Sequence, residues 1–166
     1  MNSGSGTQPE PDLLASWYFA YGSNMNPARM AARKIVTRAA LPGRLDGFRL
    51  AFDKRGRIEG EGHANVVYQP RAQVEGVLYQ LQALEELAKL DRFERTPINY
   101  SRELVRIEAG TGAISAWVYI ANPGARSGGL LPSAEYLSHL LAGARFLSPS
   151  YLEALRAHPV LAPTAA

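Results

Sequence analysis

Residues 17–25 constrain the fold of this chain more than any other segment. Aromatic and small apolar side chains run up to Tyr21, which is the pattern of a buried strand. Gly22 then permits a backbone conformation that residues with a Cβ avoid, and Ser23 and Asn24 add short hydrogen-bonding side chains. The segment therefore predicts a strand that ends abruptly in a tight polar loop.

A helix start follows this loop directly. Asn26 is a typical N-cap, and Pro27 fits the first helical position, where its missing N–H costs nothing. A strand, a tight loop and a helix N-terminus in succession direct several backbone N–H groups at one point, which suits a carboxylate or a developing oxyanion. A plain strand-to-helix turn uses the same residue types, so on these residues alone both interpretations stay open.

The composition excludes several classes of function. The absence of cysteine rules out disulfides, thiolate metal sites and a cysteine nucleophile. The net charge is +3, but the arginines are spread out, so no nucleic-acid partner is expected. The apolar runs fall short of the roughly 20 residues that span a bilayer, so no membrane partner is expected. His63, His139 and His158 show no ligand spacing, and no metal is expected.

One folded domain is predicted over residues 16–160, which is long enough for a single hydrophobic core. Residues 1–15 are rich in Gly, Ser, Pro and acidic residues and predict a disordered tail rather than a secretory signal. Residues 161–166 predict a short C-terminal tail. With no secretory signal and no membrane span predicted, we expect a cytoplasmic location.

The periodicity of the chain alternates between that of strands and that of helices. Helices are predicted at residues 27–33, at 83–91, and after the caps Ser133 and Ser148. Strands are predicted at residues 35–40, 44–53, 64–69, 74–81, 100–108 and 113–121, with turns at Gly43, 46–47 and 56–62 and a hairpin turn at 109–112. The pattern is typical of an α+β domain whose sheet-rich centre can close into a barrel with helices at its ends.

Four motifs, in this order, make the chain resemble the γ-glutamylcyclotransferase family and its avirulence-induced-gene-like relatives. The motifs are Tyr18-Phe19-Ala20-Tyr21-Gly22-Ser23-Asn24-Met25, Gly76-Val77-Leu78-Tyr79, Leu90-Asp91-Arg92-Phe93-Glu94 followed by Tyr100 and Arg102, and Pro132-Ser133-Ala134-Glu135-Tyr136. The resemblance covers nearly all of the predicted domain. It implies a small mixed β-barrel with flanking helices and an active site at one barrel mouth, beside the glycine-containing loop.

The resemblance also implies a reaction. The α-amine of a γ-glutamyl compound attacks its own γ-carbonyl and releases 5-oxoproline and an amine, with no cofactor or metal. Glu94 is the implied general base, and the family usually has glycine where Arg95 follows it. The candidate substrate-binding residues are Tyr21, Gly22, Ser23, Asn24, Met25, Tyr100 and Tyr136.

The residues by themselves leave alternatives. Glu94 equally fits a solvated helix end, and Tyr100 and Tyr136 equally fit core positions whose hydroxyls reach the surface. Arg102 fits either a carboxylate contact or a solvated strand position. A barrel that binds a small anionic or γ-glutamyl ligand, or a protein partner, without turnover is therefore the alternative function.

The leaving amine is not specified by the motifs. Glutathione, a γ-glutamyl amino acid, γ-glutamyl-lysine and a γ-glutamylated biosynthetic intermediate share the same glutamyl half. The loops at residues 56–63 and 125–131 are the candidates for recognising the other half. The expected partner is a small-molecule substrate, and a homodimer is left open.

Overall fold

The computed structural model describes residues 16–164, which form a closed barrel of five strands. The strands are β1 (Trp17–Ala20), β2 (Thr37–Arg55), β3 (Gly62–Leu81), β4 (Tyr100–Ala109) and β5 (Gly112–Ala121). Their order around the barrel is β1-β3-β2-β4-β5. Parallel pairing of Tyr18 with Trp117 closes the barrel, whereas the other neighbours pair antiparallel. The predicted α+β class and mixed barrel are confirmed.

Helices flank the barrel, and their caps are those that the sequence predicts. They are α1 (Pro27–Ala32), α2 (Glu85–Phe93), α3 (Ala134–Leu141) and α4 (Pro149–Arg156). The side chains of Asn26, Ser133 and Ser148 each accept a hydrogen bond from a backbone N–H of the following turn, at 3.0, 3.1 and 3.3 Å. These contacts satisfy donors that a helix N-terminus otherwise leaves unpaired. None of the helices within residues 16–164 has the length and hydropathy to cross a membrane.

The predicted division of the β-rich section into four short strands is wrong. Gly43 and Gly47 lie inside the long strand β2 rather than in turns. Gly43 packs against Phe19 and Ile107, and Gly47 has a φ of 80° where the pairing with β3 is irregular. The predicted break at residues 70–73 is also part of such an irregularity, because pairing passes from Asp46–Gln73 to Phe48–Tyr68. Gly43 therefore allows close packing, and Gly47 lies at a bulge. A single sequence does not distinguish either role of glycine from a turn.

Of the two tails predicted at the ends of the domain, only the start of the C-terminal one lies within the described residues. Residues 1–15, predicted as a tail, lie outside the described residues, as do residues 165–166. Leu161 is the first residue of the predicted C-terminal tail, and its N–H donates to the Pro132 carbonyl at 2.8 Å. Its side chain also lies against Gly60, so that this residue contacts the turn between β2 and β3.

Strand β1 is short, and its close contact with β3 depends on a glycine. Phe19 is fully buried and lies beside Gly76, where β1 and β3 run antiparallel. A Cβ at Gly76 would clash with the Ala20 carbonyl oxygen and lie 2.8 Å from Phe19 Cζ. This close approach holds the end of β1 at the barrel mouth, where the polar loop begins.

Replacing Gly76 with alanine should lower the free energy of unfolding by about 1–3 kcal/mol, because the added methyl overpacks a backbone contact that cannot move independently. Gly110 is the matched control, since an added Cβ there meets nothing within 4 Å. Chemical denaturation of Gly76→Ala and Gly110→Ala beside the wild type measures both. Equal stability of the two variants would contradict this account of the β1–β3 contact.

Candidate active site

A cavity of about 510 Å³ opens at the barrel mouth, beside the loop that follows β1. The structure brings to its lining the sequence-predicted residues Tyr21, Gly22, Ser23, Asn24, Glu94, Tyr100 and Tyr136. Met25 is not in the lining. Its side chain is fully buried in the core and packs against Gly143. Residues far apart in sequence therefore meet at one site, and Met25 supports it from behind.

The loop is built on a close contact rather than on a left-handed glycine. Gly22 has φ −115° and ψ −138°, and a Cβ there would lie 3.0 Å from Ala64 Cβ and 3.2 Å from Tyr136 Oη. A single 3₁₀ turn, Ser23–Met25, follows it and leads into α1. The first N–H groups of such a turn have no partner within the turn. The nearness of β3 and α3 therefore disfavours a Cβ at this position, and the Gly22 backbone itself lies outside the helical and extended regions.

Asn24 connects the three elements that meet at the cavity, and only 2% of its surface is exposed. Its Nδ2 donates to Tyr18 Oη at 3.1 Å and approaches Glu94 Oε1 at 3.5 Å. Its Oδ1 accepts from Arg33 Nη1 at 2.8 Å, and its backbone carbonyl accepts from Tyr79 Oη at 2.9 Å. Because every polar group of the Asn24 side chain has a partner, its amide orientation is fixed by the network.

Among residues 16–164, Glu94 is the only one that contributes a carboxylate to the cavity lining. It is the C-cap residue of α2, and its N–H donates to the Leu90 carbonyl at 2.9 Å. Burial raises the pKa of the Glu94 carboxyl above its ordinary value, although the positive charges of Arg33, Lys54 and Arg29 oppose the shift. A carboxylate with a raised pKa is suited to accepting a proton. Phe93, the residue before Glu94, is 47% exposed and lies under the Arg33 guanidinium.

Three of the tyrosines that line the cavity, Tyr21, Tyr100 and Tyr136, form hydrogen bonds with backbone groups of the barrel. The Tyr21 hydroxyl donates to the Tyr119 carbonyl, and the Tyr100 hydroxyl donates to the Ala64 carbonyl at 2.8 Å. The Tyr136 oxygen instead accepts from the Ala64 N–H at 3.0 Å. No acceptor for the Tyr136 hydroxyl hydrogen is found among residues 16–164, so this phenol can donate to a ligand. Burial raises the pKa of Tyr136 to about 12, so it is a neutral donor near pH 7.

His63, the last residue of the predicted recognition loop at residues 56–63, lines the cavity and has a role that the sequence did not indicate. Its ring stacks on Tyr136, with 4.4 Å between ring centroids and an interplanar angle of 5°. Its Nε2 lies 3.5 Å from Glu61 Oε2, while burial lowers the pKa of the His63 imidazole. The stacking fixes the Tyr136 ring, so His63 supports the position of that phenol.

Six basic side chains in the lining were not among the predicted site residues, although Arg57 lies in the predicted recognition loop and Arg95 was noted after Glu94: Arg29, Arg33, Lys54, Arg55, Arg57 and Arg95. Arg29 and Arg33 lie four residues apart at α1, a spacing that places both on one helix face. Lys54, Arg55 and Arg57 come from the end of β2 and the turn after it. The sequence shows only the four-residue spacing of Arg29 and Arg33. The cations from α1, from the end of β2 and from the residue after α2 meet only when the barrel closes.

Arg102 lies outside this cavity. Its Nη1 is 3.4 Å from Asp91 Oδ2, and its guanidinium lies over the Trp117 ring. The sequence also led us to expect no metal site from His63, His139 and His158. Within the described part of the chain, no group of three or more potential metal ligands occurs. Residues from both predicted recognition loops, Gly56 and Ala125 among them, do line the cavity.

The fold and the site together define a small barrel protein with a cation-rich cavity around the partly buried carboxylate of Glu94. A family model described as "Gamma-glutamyl cyclotransferase, AIG2-like" matches residues 18–138, and the chain belongs to this family. The resemblance carried by the four motifs is thereby confirmed. No curated protein shows a significant sequence match to the chain.

Solved structures share the fold. A structure named gamma-glutamyl cyclotransferase is 25% identical over 90% of this chain and 91% of that chain, with a TM-score of 0.76. An uncharacterized protein from Homo sapiens gives the same identity, coverage and TM-score. YkqA from Bacillus subtilis is 23% identical over 87% of this chain and 55% of its own, with a TM-score of 0.75, and shows the fold alone. Family and neighbours indicate a γ-glutamyl cyclotransferase-like enzyme.

Replacing Glu94 with glutamine should stabilise the fold relative to the wild type as the pH rises. Because the folded-state pKa of Glu94 is raised, the folded protein binds this proton more tightly than the unfolded chain does. That contribution to stability is complete below the unfolded-state pKa and is lost as the pH rises through the folded-state pKa. Glutamine cannot ionise, so the Tm difference between Glu94→Gln and wild type should grow from acidic to neutral pH.

The exposed Glu103, which is outside the cavity, provides the control for this titration. Thermal unfolding of Glu103→Gln across the same pH range controls for the loss of one carboxylate at an exposed position. A Tm difference for Glu94→Gln that is independent of pH would contradict the raised pKa.

Proposed function

We propose that this protein is an intramolecular acyl-transfer enzyme that releases 5-oxoproline from a γ-glutamyl compound, with Glu94 as the general base. One observation carries the proposal. The Glu94 carboxylate lines the same cavity as Ser23 and Asn24, and the Asn24 amide lies 3.5 Å from Glu94 Oε1. A proton acceptor and a loop of polar donors are therefore available to a single bound molecule.

The first chemical task is to free the substrate's nucleophile. Its α-amine is protonated at neutral pH, and Glu94 accepts one of these protons. The raised pKa of Glu94 brings its basicity closer to that of the amine, which makes the transfer less unfavourable. The positive charges of Arg33, Lys54 and Arg29 act against the upward pKa shift and favour the carboxylate, which is the form that accepts a proton.

The second task is ring closure. The freed nitrogen attacks the γ-carbonyl carbon, a C–N bond forms, and the carbonyl π electrons move to oxygen. Collapse of this tetrahedral species breaks the γ-amide C–N bond. The two protons lost by the attacking nitrogen end on the leaving nitrogen, one of them by way of Glu94, so the amine departs as an ammonium ion and Glu94 is regenerated.

Donors around the loop fit the negative charges of this reaction. The backbone N–H of Asn24 is proposed to face the developing oxyanion, where preorganised donors contribute most, while the Ser23 N–H is directed at the Tyr136 oxygen and helps to hold that phenol. Arg29 and Arg33, on one face of α1, are proposed to hold the α-carboxylate. Holding both ends folds the glutamyl chain so that its nitrogen reaches its own carbonyl, which replaces a random encounter with a fixed one.

The phenol of Tyr136 fits a third role. Its oxygen is held by the Ala64 N–H, its ring is stacked on His63, and its hydrogen is available to a ligand. We assign it to substrate binding at the amide that is cleaved. The Tyr21 and Tyr100 hydroxyls are committed to backbone carbonyls, so these two residues shape the cavity rather than donate to the substrate.

Glu94→Gln should lower the rate of 5-oxoproline release by about 10²–10⁴-fold, because glutamine fills the same space but cannot accept a proton. The assay is 5-oxoproline formation from a panel of γ-glutamyl compounds. Glu103→Gln is the matched control and should keep wild-type turnover, since this residue is exposed and outside the cavity.

Near-normal turnover by a folded Glu94→Gln variant would overturn the assignment of the base. If the wild type binds γ-glutamyl compounds but releases no 5-oxoproline from any of them, the binding-only alternative replaces the enzyme proposal. Circular dichroism of both variants confirms that the fold is retained.

A further inference from the structure

The cavity has a strong excess of positive charge. Its lining contains six Lys and Arg side chains and one carboxylate, Glu94. Within residues 16–164, none of these six cations forms an ion pair with a carboxylate. Clefts lined by one sign of charge concentrate counter-ions of the other sign, so the cavity favours an anionic occupant.

The six cations fall into an inner and an outer set. Arg29, Arg33 and Lys54 are partly buried, and theirs are the charges that act on Glu94. Arg55, Arg57 and Arg95 are exposed, and we refer to them as the rim arginines. Burial lowers the pKa of Lys54, and the positive charges of all three rim arginines lower it further, so the two sets lie within electrostatic reach of each other.

Neighbouring acids do not neutralise the rim. Asp53 is ion-paired with Arg126 at 2.8 Å. Glu61 is buried, and its oxygens accept from the Ser133 hydroxyl at 3.0 Å and from the Arg57 backbone N–H at 3.1 Å. The Arg57 side chain therefore remains free of Glu61, although its backbone is held. The positive charge at the rim is left for a ligand.

Arg95 is a notable member of the rim because of its backbone. It follows the C-cap of α2 and has a φ of 51°, a left-handed conformation that glycine adopts without steric cost. Arginine at this position places a guanidinium in the cavity lining immediately after Glu94. A side chain retained where glycine is favoured is consistent with a role in binding.

The glutamyl half of a substrate does not account for this charge. It carries one carboxylate and one ammonium group, and Arg29 and Arg33 together with Glu94 match that pair. Lys54 and the rim arginines then face the leaving half. Arg55 is partly occupied, since its guanidinium donates to the carbonyls of Arg126 and Gly124.

We propose that the preferred substrates are γ-glutamyl compounds whose leaving amine carries two negative charges, read by Lys54, Arg57 and Arg95. This inference rests on the proposed function and adds the substrate class to it. A dicarboxylic amino acid and a phosphorylated amine share the required chemistry. Neutral and cationic leaving amines lack a counterpart for these three side chains.

The test compares two nearly isosteric substrates, γ-glutamyl-glutamate and γ-glutamyl-glutamine, which differ by one negative charge. The kcat/KM for 5-oxoproline release should favour γ-glutamyl-glutamate by roughly five- to tenfold at about 0.05 M salt, and the preference should shrink at about 0.5 M salt. N-(γ-glutamyl)-O-phosphoethanolamine is the second arm. Preference for it over γ-glutamyl-ethanolamine shows that a phosphate serves as well as a second carboxylate.

The double variant Arg57→Gln with Arg95→Gln should reduce the preference for γ-glutamyl-glutamate over γ-glutamyl-glutamine to about twofold or less. Arg92→Gln is the matched control, because Arg92 is exposed and lies three residues before Arg95 but outside the cavity lining. It should keep the wild-type preference. Equal kcat/KM for the charged and neutral substrates of wild type, or a preference that survives the double variant, would overturn the inference.

A binding measurement separates this inference from the proposed function. Calorimetry of γ-glutamyl-glutamate and γ-glutamyl-glutamine with the Glu94→Gln variant reports charge preference without turnover. If no compound yields 5-oxoproline from wild type but γ-glutamyl-glutamate binds more tightly, the proposed reaction fails and the charge preference stands. If 5-oxoproline is released but both compounds bind equally, the charge preference fails and the reaction stands.

Discussion

The arrangement at the barrel mouth depends on one buried side chain, that of Asn24. It accepts from Arg33, donates to Tyr18 and lies against Glu94, so that α1, β1 and α2 are held in one relative position. Removing it would leave buried partners unsatisfied, and the cost of such groups exceeds the net stability gained from the bonds themselves. The loop therefore positions Glu94 as much as it provides donors for a ligand.

The state of Glu94 is set by two opposing influences. Burial favours the protonated form, whereas Arg33, Lys54 and Arg29 favour the carboxylate. Neither alone suits a general base, because a fully neutralised acid cannot accept a proton and a fully stabilised carboxylate has little tendency to do so. The same inner cations are proposed to hold the substrate, so substrate binding and the basicity of Glu94 are coupled.

Local features of the fold were predictable, and non-local ones were not. The path from β1 through the loop into α1 is encoded by adjacent signals, namely the aromatic strand, Gly22, the Asn26 cap and Pro27. The joining of short predicted strands into β2 and β3 was missed, because Gly47 marks a bulge only when its partner strand is known. The meeting of Lys54 with Glu94 follows from barrel closure, to which no local pattern corresponds.

The central claim is that one ligand contacts both Glu94 and the Ser23–Asn24 loop. A crystal structure of the Glu94→Gln variant with γ-glutamyl-glutamate bound tests it most directly. We expect the substrate's α-nitrogen to lie about 3 Å from the residue 94 side chain. Its γ-carbonyl oxygen should lie at hydrogen-bonding distance from the backbone N–H of Asn24 in the loop. A glutamyl group bound with its α-nitrogen directed away from residue 94 would contradict the account.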